Sequence, residues 1–265
     1  MFHLLDGDRI ATLGAVFLAE MARNAGLGEK LRIGLVQTAY ANGASTEYVE
    51  KVLKLPVICT PTGVKHLHHA AQRFDIGVYF EANGHGTVLF SDPAIKLIRE
   101  AQPKSPGQQY ALDSLKACID LINQAVGDAL SDMLFAEVVL SHKCWGPQEW
   151  ENTYIDLPNR LLKVEVFDRS LFKTSDAERR LDSPKGAQEE IDMYCRNFVK
   201  GRAFARPSGT EDVVRVYAEA YSRPEAEKLA THVARIVKDH GTDPKTRPEY
   251  LYMPQQKQQQ QQQQQ

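Results

Sequence analysis

Apolar and polar residues alternate in a way that predicts helices and buried strands in the first half of the chain. An apolar stripe at helical spacing predicts a helix over residues 10–22. Its members are Ile10, Leu13, Phe17 and Met21. Three apolar runs follow at 33–36, 55–59 and 76–80, with helical stretches between them at 46–53 and 64–73. Near-continuous apolar strands alternating with helices indicate a largely parallel sheet buried on both faces, so we expect an α/β domain over residues 30–150.

The same domain is predicted to continue through a loop and two more helices. Residues 101–109 contain two prolines, a glycine and a serine, which indicates a surface loop. Helical patterns follow at 110–126 and 128–142, and residues 144–151 then form a candidate linker.

The pattern changes after Tyr154 and predicts a second, smaller domain. Strands are expected at 161–166, 201–205 and 213–220, and a short helix at 175–181. Ser222 and Glu225 have the spacing of a capping box at the start of a further helix. One face of that helix carries Leu229, Val233, Ile236 and Val237. The fold class is therefore α/β, with a smaller α+β domain over residues 151–241 following the first.

Residues 242–265 are rich in proline and lysine and end in a run of glutamines. Such a segment buries too little apolar surface to fold by itself, so we expect a disordered tail.

Composition narrows the classes of partner. The formal net charge is −2, which favours neither nucleic acid nor an anionic membrane. The first residues lack the basic flank and apolar core of a signal peptide, so a cytoplasmic protein is expected. The four cysteines have no Cys-x-x-Cys spacing, which indicates free thiols rather than disulfides or a zinc ribbon.

Residues 206–215 read Arg-Pro-Ser-Gly-Thr-Glu-Asp-Val-Val-Arg, which is typical of a loop that holds a phosphate. Ser208 and Thr210 offer hydroxyl donors, and Gly209 lets the backbone approach a bulky anion. Arg206 and Arg215 bracket the loop with guanidinium groups that fit phosphate oxygens. An ordinary Ser-Gly-Thr turn with surface arginines is the alternative.

A second polar loop, residues 81–86, follows the apolar run that ends at residue 80. The Glu81 carboxylate can accept hydrogen bonds from two neighbouring hydroxyls, and the Asn83 amide can both donate and accept. Ligands of open α/β sheets lie beyond the carboxyl ends of strands, which suits a sugar site here. A polar turn between two strands is the alternative, because residues 87–90 also have a strand pattern.

Both loops resemble segments of the α-D-phosphohexomutases. Residues 206–219 resemble the phosphate-binding loop of that superfamily and the strand after it. The Glu-Ala-Asn-Gly-His-Gly sequence at 81–86 resembles its sugar-binding loop, in the form typical of phosphoacetylglucosamine mutases. Segments 37–43 and 60–69 fit the same branch. The resemblance runs from Phe2 to His240, in the order of the C-terminal part of such an enzyme.

This resemblance implies a substrate and a set of contacts. The reaction would interconvert N-acetylglucosamine 6-phosphate and N-acetylglucosamine 1-phosphate, feeding UDP-N-acetylglucosamine synthesis. The residues implied to bind the substrate phosphate are Arg206, Ser208, Gly209, Thr210 and Arg215. Those implied to bind the sugar are Glu81, Asn83, His85, Gly63 and Val64.

The superfamily also uses a phosphoserine and Mg²⁺, and neither motif is found in this sequence. The magnesium loop reads Asp-Gly-Asp-x-Asp-Arg, whereas here Arg9 follows Asp8 directly. The segment Asp6-Gly7-Asp8-Arg9 resembles a later part of the family sequence, and it also reads as a polar turn that caps the first helix. We therefore expect no catalytic residue and no magnesium ligand in this chain, and no mutase turnover by the chain alone.

The family order further implies that residues 1–29 are the remnant of a preceding domain that carries the metal loop. The apolar stripe at Leu13, Phe17 and Met21 would then expose a patch that favours association. Two alternatives to a piece of an enzyme remain open: a non-catalytic module that binds sugar phosphates, and an incomplete gene product.

Histidines cluster in residues 66–85, and His66 and His69 are three positions apart on a predicted helix. A zinc site is one interpretation, but no carboxylate or cysteine joins them at ligand spacing. No metal site is predicted. Lys65, at the start of the same helix, either contacts ligand oxygens or is solvated.

Overall fold

A computed structural model describes residues 3–242. The chain divides into two compact units, with the boundary between Asp156 and Leu157. The fold is mixed α/β, with parallel and antiparallel strand pairs. The expected boundary after residue 150 lies a few residues too early.

The first unit contains seven helices and four strands among its described residues. They are α1 (Gly7–Asn24), β1 (Ile33–Thr38), α2 (Gly43–Glu47), β2 (Val57–Thr60), α3 (Val64–Ala71), β3 (Ile76–Phe80), β4 (Gly86–Phe90), α4 (Asp92–Glu100), α5 (Pro106–Leu121), α6 (Ala129–Lys143) and α7 (Pro147–Glu151). A π-helical stretch, Tyr48–Leu53, continues α2.

The sheet of this unit has the strand order β2-β1-β3-β4. Strand β1 is parallel to β2 and β3, whereas β4 is antiparallel to β3. Alternate residues of β3 enter different cores: Val78 joins the cluster that contains α1, and Tyr79 joins the cluster on the α3 side. Both faces of the sheet are therefore covered, as the apolar runs predict.

Helix α1 belongs to the core of the first unit. Leu13 is 2% exposed, and Phe17 and Met21 are each 1% exposed. All three share a hydrophobic cluster with strands β1, β3 and β4 and helices α5 and α6. The expectation that residues 1–29 are the remnant of another domain, with an exposed apolar patch, is therefore wrong. The partners of α1 include Phe135 and Val139, far along the chain, and no local pattern indicates them.

The second unit contains five strands and two α-helices among its described residues, besides a 3-10 turn at Arg169–Leu171. They are β5 (Asn159–Glu165), β6 (Lys173–Ser175), β7 (Arg180–Ser183), α8 (Ala187–Cys195), β8 (Arg202–Pro207), β9 (Val213–Glu219) and α9 (Arg223–His240). Strands β5, β9 and β8 form an antiparallel sheet in that order, and β6 and β7 form a separate hairpin.

One face of the β5-β9-β8 sheet packs on α9. Val214 and Val216 of β9 share a hydrophobic cluster with Leu229 and Val233 of α9. The predicted capping box is confirmed, since the Ser222 amide donates to the Glu225 carboxylate over 3.1 Å. Because side chains alternate along a strand, the remaining residues of β8 and β9 lie on the opposite face.

Three local predictions are wrong. Residues 175–181 form the end of β6, the connecting turn and the start of β7 instead of a helix, because residues 176–178 adopt left-handed backbone angles that reverse the chain. The predicted loop 101–109 ends early, since Ser105 caps α5 and Pro106 begins it. Within the predicted linker 144–151, α7 forms, and the Trp150 indole donates to the Arg9 carbonyl over 3.0 Å.

Helices α4 and α8 were not predicted from the sequence. Each is nine residues long and buries only two or three residues, Ala94 and Ile98 in α4 and Ala187, Gln188 and Ile191 in α8, so each offers few core positions to a sequence pattern. The predicted disordered tail, residues 242–265, lies outside the described residues except for Thr242. Between residues 3 and 242, no helix is both long and apolar enough to cross a membrane.

Candidate functional site

The predicted sugar loop is the turn that joins β3 to β4. The Glu81 amide donates to the His85 carbonyl over 2.9 Å, and the Gly84 amide donates to the Glu81 carbonyl over 2.8 Å. Gly84 has a φ of +90°, in the region that glycine adopts without strain. The loop is therefore a tight turn between two strands.

Two of the predicted sugar contacts, Gly63 and Asn83, meet the carboxylate of a third, Glu81. The Gly63 amide, just before α3, donates to Glu81 Oε1 over 3.1 Å. Asn83 Nδ2 lies 3.4 Å from Glu81 Oε2, and Asn83 Oδ1 accepts from the His85 amide over 2.8 Å. Val64 follows Gly63 as the first residue of α3. Asn83 and His85 are exposed, so their polar groups remain accessible to a ligand.

The amino end of α1 packs against the backbone of this loop, a contact that the sequence does not predict. The Gly7 amide donates to the Ala82 carbonyl over 3.1 Å. A Cβ atom at Gly7 would lie 1.8 Å from the Glu81 carbonyl oxygen, so only glycine permits this approach. The glycine of the Asp6-Gly7-Asp8-Arg9 segment is the one signal in the sequence, and it was interpreted as part of a polar turn.

A second glycine lies against His85. A Cβ atom at Gly127 would lie 2.7 Å from the Gly86 carbonyl oxygen and 3.2 Å from His85 Nε2. The segment before α6 therefore packs directly on the sugar loop, and it restricts where the imidazole can move.

The aspartates of the same segment have structural partners. Asp6 caps α1 by accepting from the Asp8 and Arg9 amides over 3.1 and 3.3 Å. Burial is the main cause that raises the pKa of Asp6. Asp8 Oδ2 accepts from the Asn42 amide over 2.7 Å. The polar-turn interpretation is confirmed at Asp6.

These residues do not fit a magnesium site. Mg²⁺ requires near-octahedral oxygen coordination, and here Asp6 caps a helix while Asp8 binds a backbone amide. Across residues 3–242 there is no group of three or more His, Cys, Asp or Glu side chains placed to hold a metal ion. His68, from the histidine cluster, instead lies with its Nδ1 3.1 Å from the Tyr79 hydroxyl.

The predicted phosphate loop connects β8 to β9 in the second unit. The Ser208 amide donates to the Val213 carbonyl over 2.8 Å, which closes the loop at its base. Ser208 is buried, and its hydroxyl accepts from the Thr210 amide over 3.4 Å. Gly209 and Thr210 are exposed at the tip, and no atom lies within 4 Å of the Cβ position at Gly209. The tip is therefore open to an anion.

Three cationic side chains lie side by side at the base of this loop. Arg215 of β9 is in register with Arg206 of β8 on one side and with Lys163 of β5 on the other. Residues paired directly across strands project from the same face, so these cations form a row across the sheet. The sequence predicted both arginines, whereas Lys163 was missed because strand register cannot be read from local pattern.

Two carboxylates flank the ends of the row. Arg206 Nε lies 3.1 Å from Glu178 Oε2, and Lys163 Nζ lies 2.8 Å from Glu211 Oε2. The hydrogen bond and charge of Lys163 lower the pKa of Glu211. Arg215, in the middle of the row, is exposed. An anion approaching the loop tip therefore meets exposed positive charge.

The far end of the loop is anchored to the segment after β5. The Arg169 guanidinium donates to the Glu211 carbonyl over 3.3 Å, and the Arg169 amide donates to Asp212 Oδ1 over 3.3 Å. The Val166 amide donates to the Asp212 carbonyl over 3.1 Å. These bonds fix the backbone that leads into β9, so the exposed tip extends from a rigid base.

Comparison with known proteins identifies the family. Residues 6–145, more than half of the chain, match the family model described as "Phosphoacetylglucosamine mutase AMG1, domain III". The chain belongs to the phosphoacetylglucosamine mutase family. Residues 161–236 match the model of the phosphoglucomutase/phosphomannomutase C-terminal domain. The first match includes α1, in agreement with its position in the core of the first unit.

Individual relatives give the same result. The phosphoacetylglucosamine mutase of Mus musculus is 55% identical over 237 residues, covering 89% of this chain and 43% of the mouse protein. A structure of Aspergillus fumigatus N-acetylphosphoglucosamine mutase is 65% identical with a TM-score of 0.91, covering 92% of this chain and 45% of that one. A second Aspergillus structure, in complex with GlcNAc-6P and magnesium, has 65% identity and a TM-score of 0.90. This chain thus spans less than half the length of these relatives.

Proposed function

We propose that this chain supplies the sugar and phosphate contacts of a phosphoacetylglucosamine mutase. The reaction interconverts N-acetylglucosamine 6-phosphate and N-acetylglucosamine 1-phosphate, a step toward UDP-N-acetylglucosamine. The proposal extends to this chain what is printed for the Aspergillus enzyme, whose structure contains GlcNAc-6P and magnesium. Its substrate class is therefore a small amino-sugar phosphate.

The phosphate assignment rests chiefly on the row of Lys163, Arg215 and Arg206 beside an exposed Gly209-Thr210 tip. A phosphate dianion there would receive charge-assisted hydrogen bonds from guanidinium groups and from hydroxyl or backbone donors of the loop. This part of the site binds and orients one phosphate group.

The sugar assignment rests on the cluster around Glu81. A carboxylate that already accepts from the Gly63 amide is held in place, and its second oxygen lies near the exposed Asn83 amide. Such a group can accept from neighbouring sugar hydroxyls, while Asn83 and His85 offer further polar contacts. This arrangement orients the ring without taking part in phosphoryl transfer.

The transfer step itself is not assigned to residues of this chain. Phosphoryl transfer requires positioning, a phosphoryl carrier and charge stabilisation, and a bound Mg²⁺ ion supplies the last of these. The described residues offer positioning, and their aspartates do not fit a magnesium site.

Calorimetric titration tests the assignment. We expect the 265-residue chain to bind N-acetylglucosamine 6-phosphate, and to prefer it to glucose 6-phosphate. Replacing Arg206→Ala should weaken binding by ~1.5–3 kcal/mol, the range for a hydrogen bond to a charged group. Equal affinity of the variant and the parent for the sugar phosphate would exclude Arg206 from the phosphate site.

A further inference from the structure

Glu178, at the tip of the β6–β7 hairpin, forms an ion pair with Arg206 of the proposed phosphate site. Its Oε2 lies 3.1 Å from Arg206 Nε, and the two side chains are 18% and 16% exposed. Arg206 Nε has no aligned hydrogen-bond partner in the described structure, so charge rather than hydrogen-bond geometry holds the contact. An arginine guanidinium carries five N–H donors, so one carboxylate near Nε does not use its full donor capacity.

The hairpin presents this carboxylate through an unusual backbone. Asp176, Ala177 and Glu178 have φ values of 50°, 56° and 67°, in the left-handed region that residues other than glycine rarely adopt. Three consecutive residues of this kind persist only where the surrounding structure fixes them, and such outliers cluster at functional sites.

The base of the hairpin is held in place by packing. Phe172, just before β6, and Leu181, in β7, are 3% and 5% exposed in the core of the second unit. The Leu181 amide donates to the buried Gln188 side chain over 2.6 Å. Asp176 and Arg179 form an ion pair of 2.6 Å within the tip. The position of Glu178 is therefore built into the fold of this unit.

We propose that Glu178 is a positioning residue of the phosphate site, which acts through Arg206. Its carboxylate restrains the Arg206 side chain in one orientation, so that less side-chain freedom is lost when a phosphate binds. It also offsets the repulsion between Arg206 and Arg215, which are direct neighbours across β8 and β9. This inference rests on the proposed function of the same site.

The direction of the change in binding affinity distinguishes positioning from simple charge repulsion. A carboxylate near an anion site should, by charge alone, oppose binding, so Glu178→Gln would tighten it. Positioning predicts the opposite. Immobilising a flexible side chain costs enough that we expect Glu178→Gln to weaken binding of N-acetylglucosamine 6-phosphate about fivefold. Calorimetry on the full chain measures the difference, and unchanged or tighter binding overturns the proposal.

A double-mutant cycle shows whether the effect passes through Arg206. In an Arg206→Ala background, Glu178→Gln should cause no further loss of affinity. A fivefold loss in that background as well would show that Glu178 acts on the fold and not on Arg206, and it would overturn the proposal. The matched control is Glu227→Gln on α9, which removes another arginine-paired carboxylate from the opposite side of the sheet and should leave affinity unchanged.

A second variant protects the test against a folding defect. Glu178→Asp keeps the charge, and aspartate tolerates left-handed backbone angles better than most residues, but its carboxylate is one methylene shorter. We expect it to fold and to bind more weakly than the parent, and parental affinity would count against the proposal. If Arg206→Ala itself binds like the parent, the phosphate assignment fails. If only the Glu178 variants do so, that assignment stands and the positioning role fails.

Discussion

Gly7 shows how a single residue can fix the sugar loop. Its missing side chain lets the first turn of α1 approach the Glu81 carbonyl to a distance that no Cβ atom permits. Glu81 is the centre of the proposed sugar contacts, so the start of α1 and the loop must be placed together. In the sequence Gly7 looks like part of a helix cap, yet its backbone helps to hold the proposed sugar site in place.

Replacing Gly7→Ala should displace the loop or the helix. We expect the free energy of unfolding to fall by about 1–3 kcal/mol, as for other overpacked sites. Binding of N-acetylglucosamine 6-phosphate should weaken with it. Thermal unfolding and calorimetry of the variant measure the two effects.

Gly107→Ala is the matched control, because Gly107 also lies in the first turn of a helix but a Cβ there meets no atom within 4 Å. It should stabilise the chain slightly through helix propensity. If Gly7→Ala matched the parent in both measurements, the close approach of α1 to the loop would be refuted.

Among the helices and strands, α1 departs most from what the sequence predicts. Its apolar stripe was predicted correctly, but its partners were not. Phe17 packs edge-on against Phe135 of α6, with ring centroids 6.3 Å apart. The helix is thus a central element of the first unit.

Phe17→Ala should lower the free energy of unfolding of the chain by about 3–5 kcal/mol, the usual cost of removing a buried phenylalanine side chain. Denaturant unfolding followed by circular dichroism measures it. Leu134→Ala serves as the comparison, since Leu134 is 48% exposed on α6 and its loss should change stability by no more than about 0.5 kcal/mol. Similar values for the two variants would contradict the central position of α1.

The β6–β7 hairpin marks the limit of element prediction. Residues 175–181 contain good helix formers, yet residues 176–178 take left-handed angles. Packing of Phe172 and Leu181 in the core overrides the local preference. Sequence pattern can identify a helix or strand that buries a regular face, but not a short tip that tertiary contacts define.

Across the whole molecule, the sequence predicted the two loops but not their surroundings. Glu81, Arg206 and Ser208 could be named because they lie in short, recognisable segments. Lys163 and Glu178 could not, because the position of Lys163 beside Arg215 depends on strand register, and that of Glu178 beside Arg206 depends on how the β6–β7 hairpin folds. Motifs report local chemistry, and cross-strand neighbours appear only once the sheet is assembled.

We expect each loop to recognise its own part of one class of ligand, the phosphate at residues 208–210 and the sugar at residues 81–86. Amide chemical shifts of the full chain, followed during titration, test it most directly. N-acetylglucosamine 6-phosphate should shift the amides of Gly63, Asn83, His85, Ser208, Gly209 and Thr210. Inorganic phosphate should shift only the last three of these. If the sugar phosphate leaves the amides of residues 208–210 unmoved, this loop is not the phosphate site.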